Sequence, residues 1–381
     1  MSTGHSHPVV ARAVADQAEQ LMQIGNRFTN VPRILLAERL ARLAPDPLAR
    51  TLFCSTGSEA NETAIRIAKL VTGRFEIVGL MRGYHGRTSA SFSLSSAARQ
   101  ARRGYGPTMP GTVLVPPPYP LRCPFACGGC DLRCFEQAVE LIDRASSGAP
   151  AAVVVEPILG AGGIIPLDAA WLAAVRRFCD ERGALLIADE ALTGMGRTGR
   201  WFAFEHFGVL PDLVVVSKAL GGGVPVAAIV TTAQIADQAL ARTFIQAASH
   251  QGDPFQCAVA LANLDVIEQE GLLANAERMG RRLHAGLQTL VARHPIAAQA
   301  RGIGLVQGLE LADHGAESPE LAARVCLACM ERGLIVGGLR PGIREGNTLR
   351  LAPPLVVSEA EIDEALAILD SALAAARASA R

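Results

Sequence analysis

From residue 51 to about residue 232, short apolar runs alternate with amphipathic stretches. This alternation is typical of a parallel β-sheet covered by helices on both faces. The clearest runs are residues 151–155, 184–188 and 213–216, and each is apolar enough to be buried on both sides. Between the first two, AAWLAAVRRFCDERG places apolar residues at helical spacing. The sequence therefore predicts an α/β fold.

The rest of the chain divides by pattern. Residues 253–292 show helical periodicity, which predicts one long or broken helix. Beyond residue 297, short strands precede an Ala-rich helix over residues 366–380. We expect an N-terminal segment at 1–50, a large domain at 51–265 and a small α+β domain at 266–381.

Charge and cysteine content exclude several classes of protein. Lys plus Arg and Asp plus Glu are both 36, so no net charge favours nucleic acid or a membrane surface. The first residues, MSTGHSHPVVARAV, lack the pattern of a secretory signal, and no run is long enough for a membrane span. We expect a cytoplasmic protein with a small-molecule partner. Five cysteines lie in apolar or helical segments and are predicted to be buried thiols: Cys54, Cys179, Cys257, Cys326 and Cys329.

Ionisable groups follow three of the apolar runs. VVVEP ends in Glu156, LLIADE ends in Asp189 and Glu190, and LVVVSK ends in Lys218. Ligands of open α/β sheets bind outside the carboxyl ends of the strands, so these groups can converge on one site. The alternative is that they are charged residues that simply meet solvent at strand ends.

The segment CSTGSEANETAIRIAKLVTG carries an apolar run into Thr56, Gly57 and Ser58 and then directly into a helix. A helix N-terminus has unpaired N–H groups, and small residues around a Gly let an anion approach them. The alternative is an ordinary N-cap by Ser58. An anion site, a lysine and a buried carboxylate are together what a phosphorylated aldehyde cofactor requires.

A competing motif is GMGRTG at residues 194–199, which has the G-x-G-x-x-G spacing of a dinucleotide site. Such a motif should open a helix, and an acidic residue should follow the next strand. Here RWFAFEHFG follows, and the next strand ends in Ser217 and Lys218. The nicotinamide interpretation is therefore disfavoured.

The blocks STGSEANETAIRIAK, YHGRTSAS, VVVEPILGAGG, LIADEALTGMGRTG, SKALGGGVPVAAIV and TLRLAPPL resemble those of class III aminotransferases over nearly the whole chain. KLVTGRFEIVG and LIDRASSG resemble the 2,2-dialkylglycine decarboxylases of that family. The resemblance implies the fold type I architecture of pyridoxal-phosphate enzymes, with a mostly parallel seven-stranded sheet in the large domain. It also implies a homodimer with active sites at the interface, an amino-acid or amine donor and a 2-oxo-acid acceptor.

By the same resemblance, Lys218 would hold pyridoxal 5'-phosphate as a Schiff base and later move a proton as a free amine. Asp189 would pair with the ring nitrogen and keep it protonated, which makes the ring an electron sink. These two are the predicted catalytic residues.

The remaining cofactor contacts are also implied by the resemblance. The cradle at residues 56–58 would bind the phosphate, and Ser249 would reach the phosphate of the other subunit. Tyr84 would stack on one face of the ring, with Ala191 against the other. His85 is either a structural histidine or a working one.

Arg350 lies between two leucines in a strand-like stretch, where a lone charge calls for an anionic partner. The family's matching arginine binds a substrate carboxylate, and the carboxylate matching Glu156 can pair with it instead. A purely structural Arg–Glu pair is the alternative.

Two features depart from the family pattern. Leu192 stands where many relatives have a polar residue such as glutamine, and the GHSHP block begins at Gly4, so the stretch that usually precedes it is short. Transamination, decarboxylation-dependent transamination and a truncated homologue with little turnover thus remain open. We expect transamination, because Arg350 would hold the carboxylate near the cofactor plane.

Four further cysteines cluster in CPFACGGCDLRC: Cys123, Cys127, Cys130 and Cys134. The C-x-x-C core could ligate zinc or iron, but the outer spacings suit a helical turn equally well. We expect a loop of reduced thiols without metal.

Overall fold

A computed structural model describes residues 2–98, 102–125, 131–337 and 346–378 of the chain. Its strands, numbered along the chain, are β1 Leu48–Cys54, β2 Ile77–Leu80, β3 Thr112–Val115, β4 Ala152–Val155, β5 Ile158–Leu159, β6 Ile165–Pro166, β7 Leu185–Asp189, β8 Leu213–Val216, β9 Ala227–Thr232, β10 Ala297–Ile303, β11 Val306–Asp313, β12 Ala316–Glu317 and β13 Thr348–Leu351. Its α-helices are α1 Pro8–Ala18, α2 Val31–Leu43, α3 Gly57–Thr72, α4 Ser89–Leu94, α5 Arg133–Ala145, α6 Ala169–Arg182, α7 Ala233–Ala241, α8 Pro254–Gln269, α9 Leu272–Arg293, α10 Pro319–Met330 and α11 Glu359–Ala378.

The large sheet has seven strands in the order β1-β9-β8-β7-β4-β2-β3. Strands β8, β7, β4, β2 and β3 are parallel, and β9 runs antiparallel to both of its neighbours. Strand β1 therefore points the same way as β8, and both end at the same edge. The predicted α/β class and the mostly parallel seven-stranded sheet are confirmed.

Helices cover both faces of this sheet, because alternate residues of a strand point to opposite sides. In β4, Val153 and Val155 join the apolar cluster of α5 and α6, whereas Ala152 and Val154 join the cluster of α3. In β8, Val214 and Val216 pack in the cluster that includes α8. Strands buried on both faces read as unbroken apolar runs, which is why periodicity located them.

The second sheet has the order β10-β11-β12, with β13 also paired to β11. Helix α9 packs on β10 and β11, and α11 packs on α9 and α10. A short hairpin of β5 and β6 contacts β10, so it lies between the two sheets.

The structure decides between a long and a broken helix in one segment and moves the start of another helix. The helical stretch over residues 253–292 is broken at Gly271, whose φ of 62° ends α8 and begins α9. The last helix begins at Glu359 rather than near residue 366, because Ser358 and Glu361 form a reciprocal cap with O···N distances of 2.8 and 3.3 Å. None of the helices within the described ranges is both long and apolar enough to cross a membrane.

Candidate active site

Three neighbouring strands deliver ionisable groups to one edge of the large sheet. Strand β4 is paired with β7 through Val155 and Ala188, so Glu156 follows beside Asp189. Asp189 is paired in turn with Val215 of β8, and Lys218 comes three residues later. The strand register therefore places the ends of these three strands side by side at this edge, as the sequence predicted.

Helix α3 begins at the same edge, directly after β1. Its N-cap is Thr56, whose hydroxyl accepts a hydrogen bond of 3.2 Å from the Glu59 amide. The alternative N-cap by Ser58 is wrong, because the Ser58 hydroxyl instead accepts from the Arg87 amide at 3.2 Å. Gly57 lies close against the neighbouring loops: a Cβ there would meet the Cβ of Ala191 at 3.4 Å. The first turn of α3 therefore stands beside the residues that follow Asp189.

Asp189 is 3 % exposed and is held by three donors. Its Oδ2 accepts from Asn61 Nδ2 and from His85 Nδ1, both at 2.8 Å. Its Oδ1 accepts from the Ala191 amide at 3.0 Å. These three hydrogen bonds fix the direction in which the Asp189 carboxylate points.

Sequence reasoning did not single out Asn61, and it left His85 undecided. Asn61 is a polar residue on the buried face of α3, with Ala60 and Ala64 beside it, and a buried amide there signals a partner. His85 is fully buried, and within the described part of the chain neither its Nε2 nor Asn61 Oδ1 has a hydrogen-bond partner. Burial lowers the pKa of His85, but the hydrogen bond and charge of Asp189 and the charge of Glu156 outweigh burial, so the pKa is raised.

Glu156 is a buried carboxylate without a described ion pair. Its Oε1 accepts from the Tyr84 amide at 2.8 Å and its Oε2 from the Gly160 amide at 3.0 Å. Burial and the charge of Asp189 raise the pKa of Glu156 to about 7, although His85 and the two amides act against the shift. These backbone amides, rather than Arg350, are the described partners of Glu156.

Of the two residues expected around the ring, Tyr84 lies beside Glu156 and Ala191 lies beside Asp189. Tyr84 is half-buried and follows the end of β2, and Ala191 is 7 % exposed. Leu192, the departure from the family pattern, packs against the loop after β4, since a Cβ at Gly160 would lie 2.2 Å from Leu192 Cδ2. The site therefore has an apolar wall beside Glu156.

The chain contains two lysines, Lys69 and Lys218. Lys218 is exposed at the carboxyl edge, whereas Lys69 lies in the last turn of α3, with its Nζ 3.8 Å from Met109 Sδ. Helix α3 spans 16 residues, so its last turn lies far from the edge at which it begins. The presence of two lysines in the sequence could therefore have identified Lys218, since Lys69 is too far from this edge.

Arg350 and Ser249 lie outside the sheet edge. Strand β13 buries Leu349 and Leu351, and its alternation exposes Arg350. Ser249 is exposed in the loop before α8, and its carbonyl accepts from Gln23 at 2.7 Å. The carbonyl of the next residue, His250, accepts from Ser55 at 3.3 Å, which places this loop beside the start of α3.

Two further motifs of the sequence are the GMGRTG segment and the cysteine cluster. Residues 194–199 form turns, and a short 3-10 helix at Ala203–Phe207 follows, so the dinucleotide pattern lacks its α-helix. Cys127 and Cys130 lie outside the described residues, and Cys134 is buried in α5. Within the described ranges, no group of three or more metal-ligating side chains comes together.

The residues at this edge fit pyridoxal phosphate by the chemistry of their donors and acceptors. The cofactor has a phosphate, an aldehyde and a ring nitrogen, which need an anion site, an amine and a carboxylate. The capped start of α3, Lys218 and the Asp189 carboxylate provide these in turn. The tight approach of Gly57 to Ala191 and Ser217 allows the backbone of the first turn to face the ligand.

Comparison with known proteins gives the family. The family model for class III aminotransferases matches residues 1–373. An uncharacterized aminotransferase of Schizosaccharomyces pombe, C1039.07c, is 40 % identical over 378 residues, which cover 97 % of this chain and 83 % of that protein. The acetylornithine aminotransferase of Gloeobacter violaceus is 38 % identical over 379 residues, which cover 97 % and 86 % of the two chains.

Among solved structures, an amine transaminase from an uncultivated Pseudomonas species in its PLP-bound form has a TM-score of 0.91 and 30 % identity. The likeness covers 98 % of this chain and 88 % of that one. The chain belongs to the class III aminotransferase family, and it is a pyridoxal-phosphate-dependent enzyme that transfers an amino group from an amino donor to a 2-oxo acid.

Proposed function

We propose that the carboxyl edge of the large sheet is the active site, with Lys218 and Asp189 as its catalytic residues. The observation that carries the proposal is the meeting of three groups at one edge. These are an exposed amine, a carboxylate held by three donors and the capped N-terminus of α3. Their chemistry matches the three polar parts of the cofactor, as described above.

When bound, pyridoxal phosphate supplies an aldehyde that condenses with amines and a ring that withdraws electrons from the substrate's Cα. Lys218 would hold the aldehyde carbon of the bound cofactor, and as a free amine its Nζ would take the proton from the substrate's Cα. Its side chain is exposed at the edge, where a ligand can reach it.

Asp189 would pair with the ring nitrogen of the bound cofactor and keep it protonated. Asn61 and His85 orient the carboxylate through hydrogen bonds of 2.8 Å to the same oxygen. Since both donors are buried with it, the charge is screened little by solvent. Asn61 and His85 are therefore positioning residues.

The first turn of α3 binds the phosphate through Thr56, Gly57 and Ser58, since unpaired N–H groups and the helix dipole favour an anion there. Ser249 contributes to the phosphate site of the partner subunit, which its exposed position allows. Tyr84 and Ala191 would contact the ring of the bound cofactor.

The substrate is an amino acid or ω-amino acid whose carboxylate binds Arg350. The outward direction of Arg350 on β13 and the apolar wall formed by Leu192 support this choice. A relative named as an acetylornithine aminotransferase supports a donor that carries its reacting amine away from a carboxylate. Glu156 lies beside the same wall. Because its pKa is raised to about 7, its own charge changes near neutral pH and thereby affects which charged substrates bind.

The enzyme acts as a cytoplasmic homodimer. Val31, Ile34 and Leu35 of α2 are exposed together with Phe28, and such apolar groups mark interaction surfaces. The five thiols predicted to be buried are buried and unbonded, which is typical of a reducing compartment: Cys54, Cys179, Cys257, Cys326 and Cys329. We retain the division into segments 1–50, 51–265 and 266–381 as part of this proposal. Sedimentation of the holoenzyme as a monomer would contradict the dimer.

Borohydride reduction followed by mass mapping tests the role of Lys218. With two lysines in the chain, the covalent adduct is expected on the peptide that contains Lys218 and not on that of Lys69. Labelling of Lys69 or of the N-terminus alone would overturn the proposal.

A panel of amines and 2-oxo acids tests the reaction class, with cofactor absorbance and carbon dioxide release measured together. Amino-acid and ω-amino-acid donors are expected to exchange their amine without carbon dioxide release. Rapid carbon dioxide release from 2-aminoisobutyrate, which has no α-proton, would identify a decarboxylating enzyme instead. Cofactor binding without exchange for any donor would favour a homologue with little turnover.

A further inference from the structure

The turn that follows Lys218 lacks backbone partners for two of its carbonyl groups. Ala219 and Leu220 are buried, at 6 % and 0 % exposure, and residues 218–224 form turns rather than a helix or strand. Within the part of the chain that the structure describes, no backbone amide donates to the carbonyls of Ala219 and Leu220. Buried carbonyls without partners are costly, so the turn depends on a donor from elsewhere.

Asn263 of α8 supplies that donor. Its Nδ2 lies 2.8 Å from the Ala219 carbonyl oxygen and 3.2 Å from that of Leu220. The side chain is 0 % exposed, and it also fills the space beside Gly222, where an added Cβ would lie 3.0 Å from the Cβ of Asn263. One amide group therefore satisfies both carbonyls and fixes the shape of the turn.

The other end of the Asn263 amide is fixed by the N-terminal segment. Thr3 is 2 % exposed, and its hydroxyl donates to Asn263 Oδ1 at 3.1 Å. Thr3 is held in place because the carbonyl of Ser2 accepts from the Leu355 amide at 2.7 Å. The two carbonyls require Nδ2 to face the turn, because Oδ1 would repel them, and the Thr3 hydroxyl holds Oδ1 on the other side.

We propose that Asn263 is a positioning residue for Lys218 and that Thr3 holds its amide in this orientation. The inference rests on the proposed function of Lys218. A fixed turn limits where the Lys218 side chain begins, and reacting groups misplaced by about 1 Å lose up to roughly 100-fold in rate. The first residues of the chain thereby influence the position of Lys218 through Asn263.

Asn263→Leu keeps the size of the side chain and removes the donor. Compared with the parent, we expect kcat to fall roughly ten- to hundredfold, with a smaller change in KM. We also expect the pH midpoint of the cofactor's visible absorption to move, because the environment of the Lys218 nitrogen changes. In the cofactor-free protein, the Leu220 amide should exchange hydrogen faster.

Asn275→Leu is the matched control. Asn275 also donates to two carbonyl groups, those of Leu355 and Val357, at 2.6 and 3.0 Å, but it does not contact the turn after Lys218. This variant should lose a comparable amount of thermal stability while its absorption midpoint stays unchanged. Equal midpoints and equal kcat in the Asn263→Leu and Asn275→Leu proteins would overturn the proposal.

Thr3→Val serves if Asn263→Leu does not fold, because it removes one hydroxyl at nearly constant volume. A change of midpoint in either direction, with kcat about two- to fivefold lower, supports the proposal. An unchanged midpoint and kcat overturn it.

A measurement on the cofactor-free protein separates this inference from the proposed function. Acetic anhydride is allowed to compete for the two lysines, and mass spectrometry compares the acylation of Lys218 with that of Lys69. The ratio should change in Asn263→Leu and stay constant in Asn275→Leu. If borohydride mapping excludes Lys218, the proposed function fails; if it confirms Lys218 and the ratio stays constant in Asn263→Leu, only the positioning role fails.

Discussion

Glu156 at the sheet edge and Glu310 of β11 are both buried glutamates, yet their surroundings drive their ionisation in opposite directions. Glu156 accepts hydrogen bonds from two backbone amides, and burial raises its pKa to about 7. Burial acts on Glu310 in the same sense, but four side chains outweigh it and lower its pKa: Tyr119, Arg301, Asn347 and Arg122. Partners, and not burial alone, decide which carboxylate stays charged.

The two regions also differ in how fully their polar atoms are paired. Arg122 binds Glu310 Oε1 through two nitrogens at 2.8 and 2.6 Å, and Arg301 binds Oε2 at 2.6 Å. At the sheet edge, by contrast, His85 Nε2 and Asn61 Oδ1 are buried without a hydrogen-bond partner among the residues that the structure describes. Glu310, Arg122 and Arg301 form a saturated cluster, which holds β11 against the residues before α5. The sheet edge, in contrast, retains hydrogen-bonding capacity. An active site needs that spare capacity, and a structural contact does not.

The largest stability effect should come from the saturated cluster. Glu310→Gln leaves the buried guanidinium of Arg301 and the partly exposed one of Arg122 without this carboxylate, and we expect a loss of about 3–5 kcal/mol in the free energy of unfolding. Glu317→Gln is the control, because Glu317 is 40 % exposed and its pairs with Arg82 and Arg122 should contribute at most about 1 kcal/mol. Denaturant unfolding measures both. Similar losses in the two variants would show that the cluster is no stronger than a surface pair.

The reverse pattern is expected for Asp189→Asn. The cofactor should stay bound and the fold intact, but kcat should fall roughly 10²- to 10³-fold, because a neutral amide no longer stabilises charge at the ring nitrogen. Asp212→Asn is the control, since Asp212 accepts from Leu186 and Arg176 at the start of β8, away from the site. Steady-state kinetics decide. Parent-like turnover in the Asp189 variant would remove this residue from the mechanism.

Glu190 is a second buried glutamate with a raised pKa, so its effect on stability should depend on pH in the opposite sense to that of Glu310. It is buried at 1 % exposure, and burial raises its pKa from 4.5 to about 7 despite hydrogen bonds from Thr193, Phe204 and Ala203. As pH rises from 4.5 to 7, the unfolded state loses this proton and the folded state keeps it, so stability falls by about 3 kcal/mol. Glu310, whose pKa is lowered, contributes in the opposite sense and loses its stabilisation as pH falls.

Unfolding at several pH values tests the sign. In Glu190→Gln, the decrease in stability between about pH 5 and pH 8 should be smaller than in the parent by about 3 kcal/mol. Glu181→Gln, at an exposed position of α6, should match the parent. A steeper decrease in Glu190→Gln would contradict the assignment.

The smallest effect should come from His85, which acts through Asp189. His85→Phe removes the donor to Asp189 Oδ2, and a hydrogen bond to a charged group is worth about 1.5–3 kcal/mol, so kcat should fall roughly tenfold or more. His85→Asn can place an amide N–H near the same position and should recover most of the activity. If Phe and Asn reduce kcat equally and leave the absorption pH profile unchanged, His85 is a packing residue only.

The sequence alone determined the elements that can be recognised from residues within a single helical turn or a single strand. Residues 151–155, 184–188 and 213–216 read as buried strands because strands covered on both faces are continuously apolar. Their terminal groups could be assigned to one edge because parallel strands end together. Lys218, Asp189 and the start of α3 were found in this way.

Tertiary structure decided what depends on contacts between distant segments. Asn61 and Asp189 are 128 positions apart, and Thr3 and Asn263 are 260 apart, so no local period connects them. The direction of Arg350, the N-cap at Thr56 and the partners of Glu156 also followed from packing. Periodicity reports which face of an element is apolar, but only the packed chain determines which buried donor meets which acceptor, because each must find a partner once water is excluded.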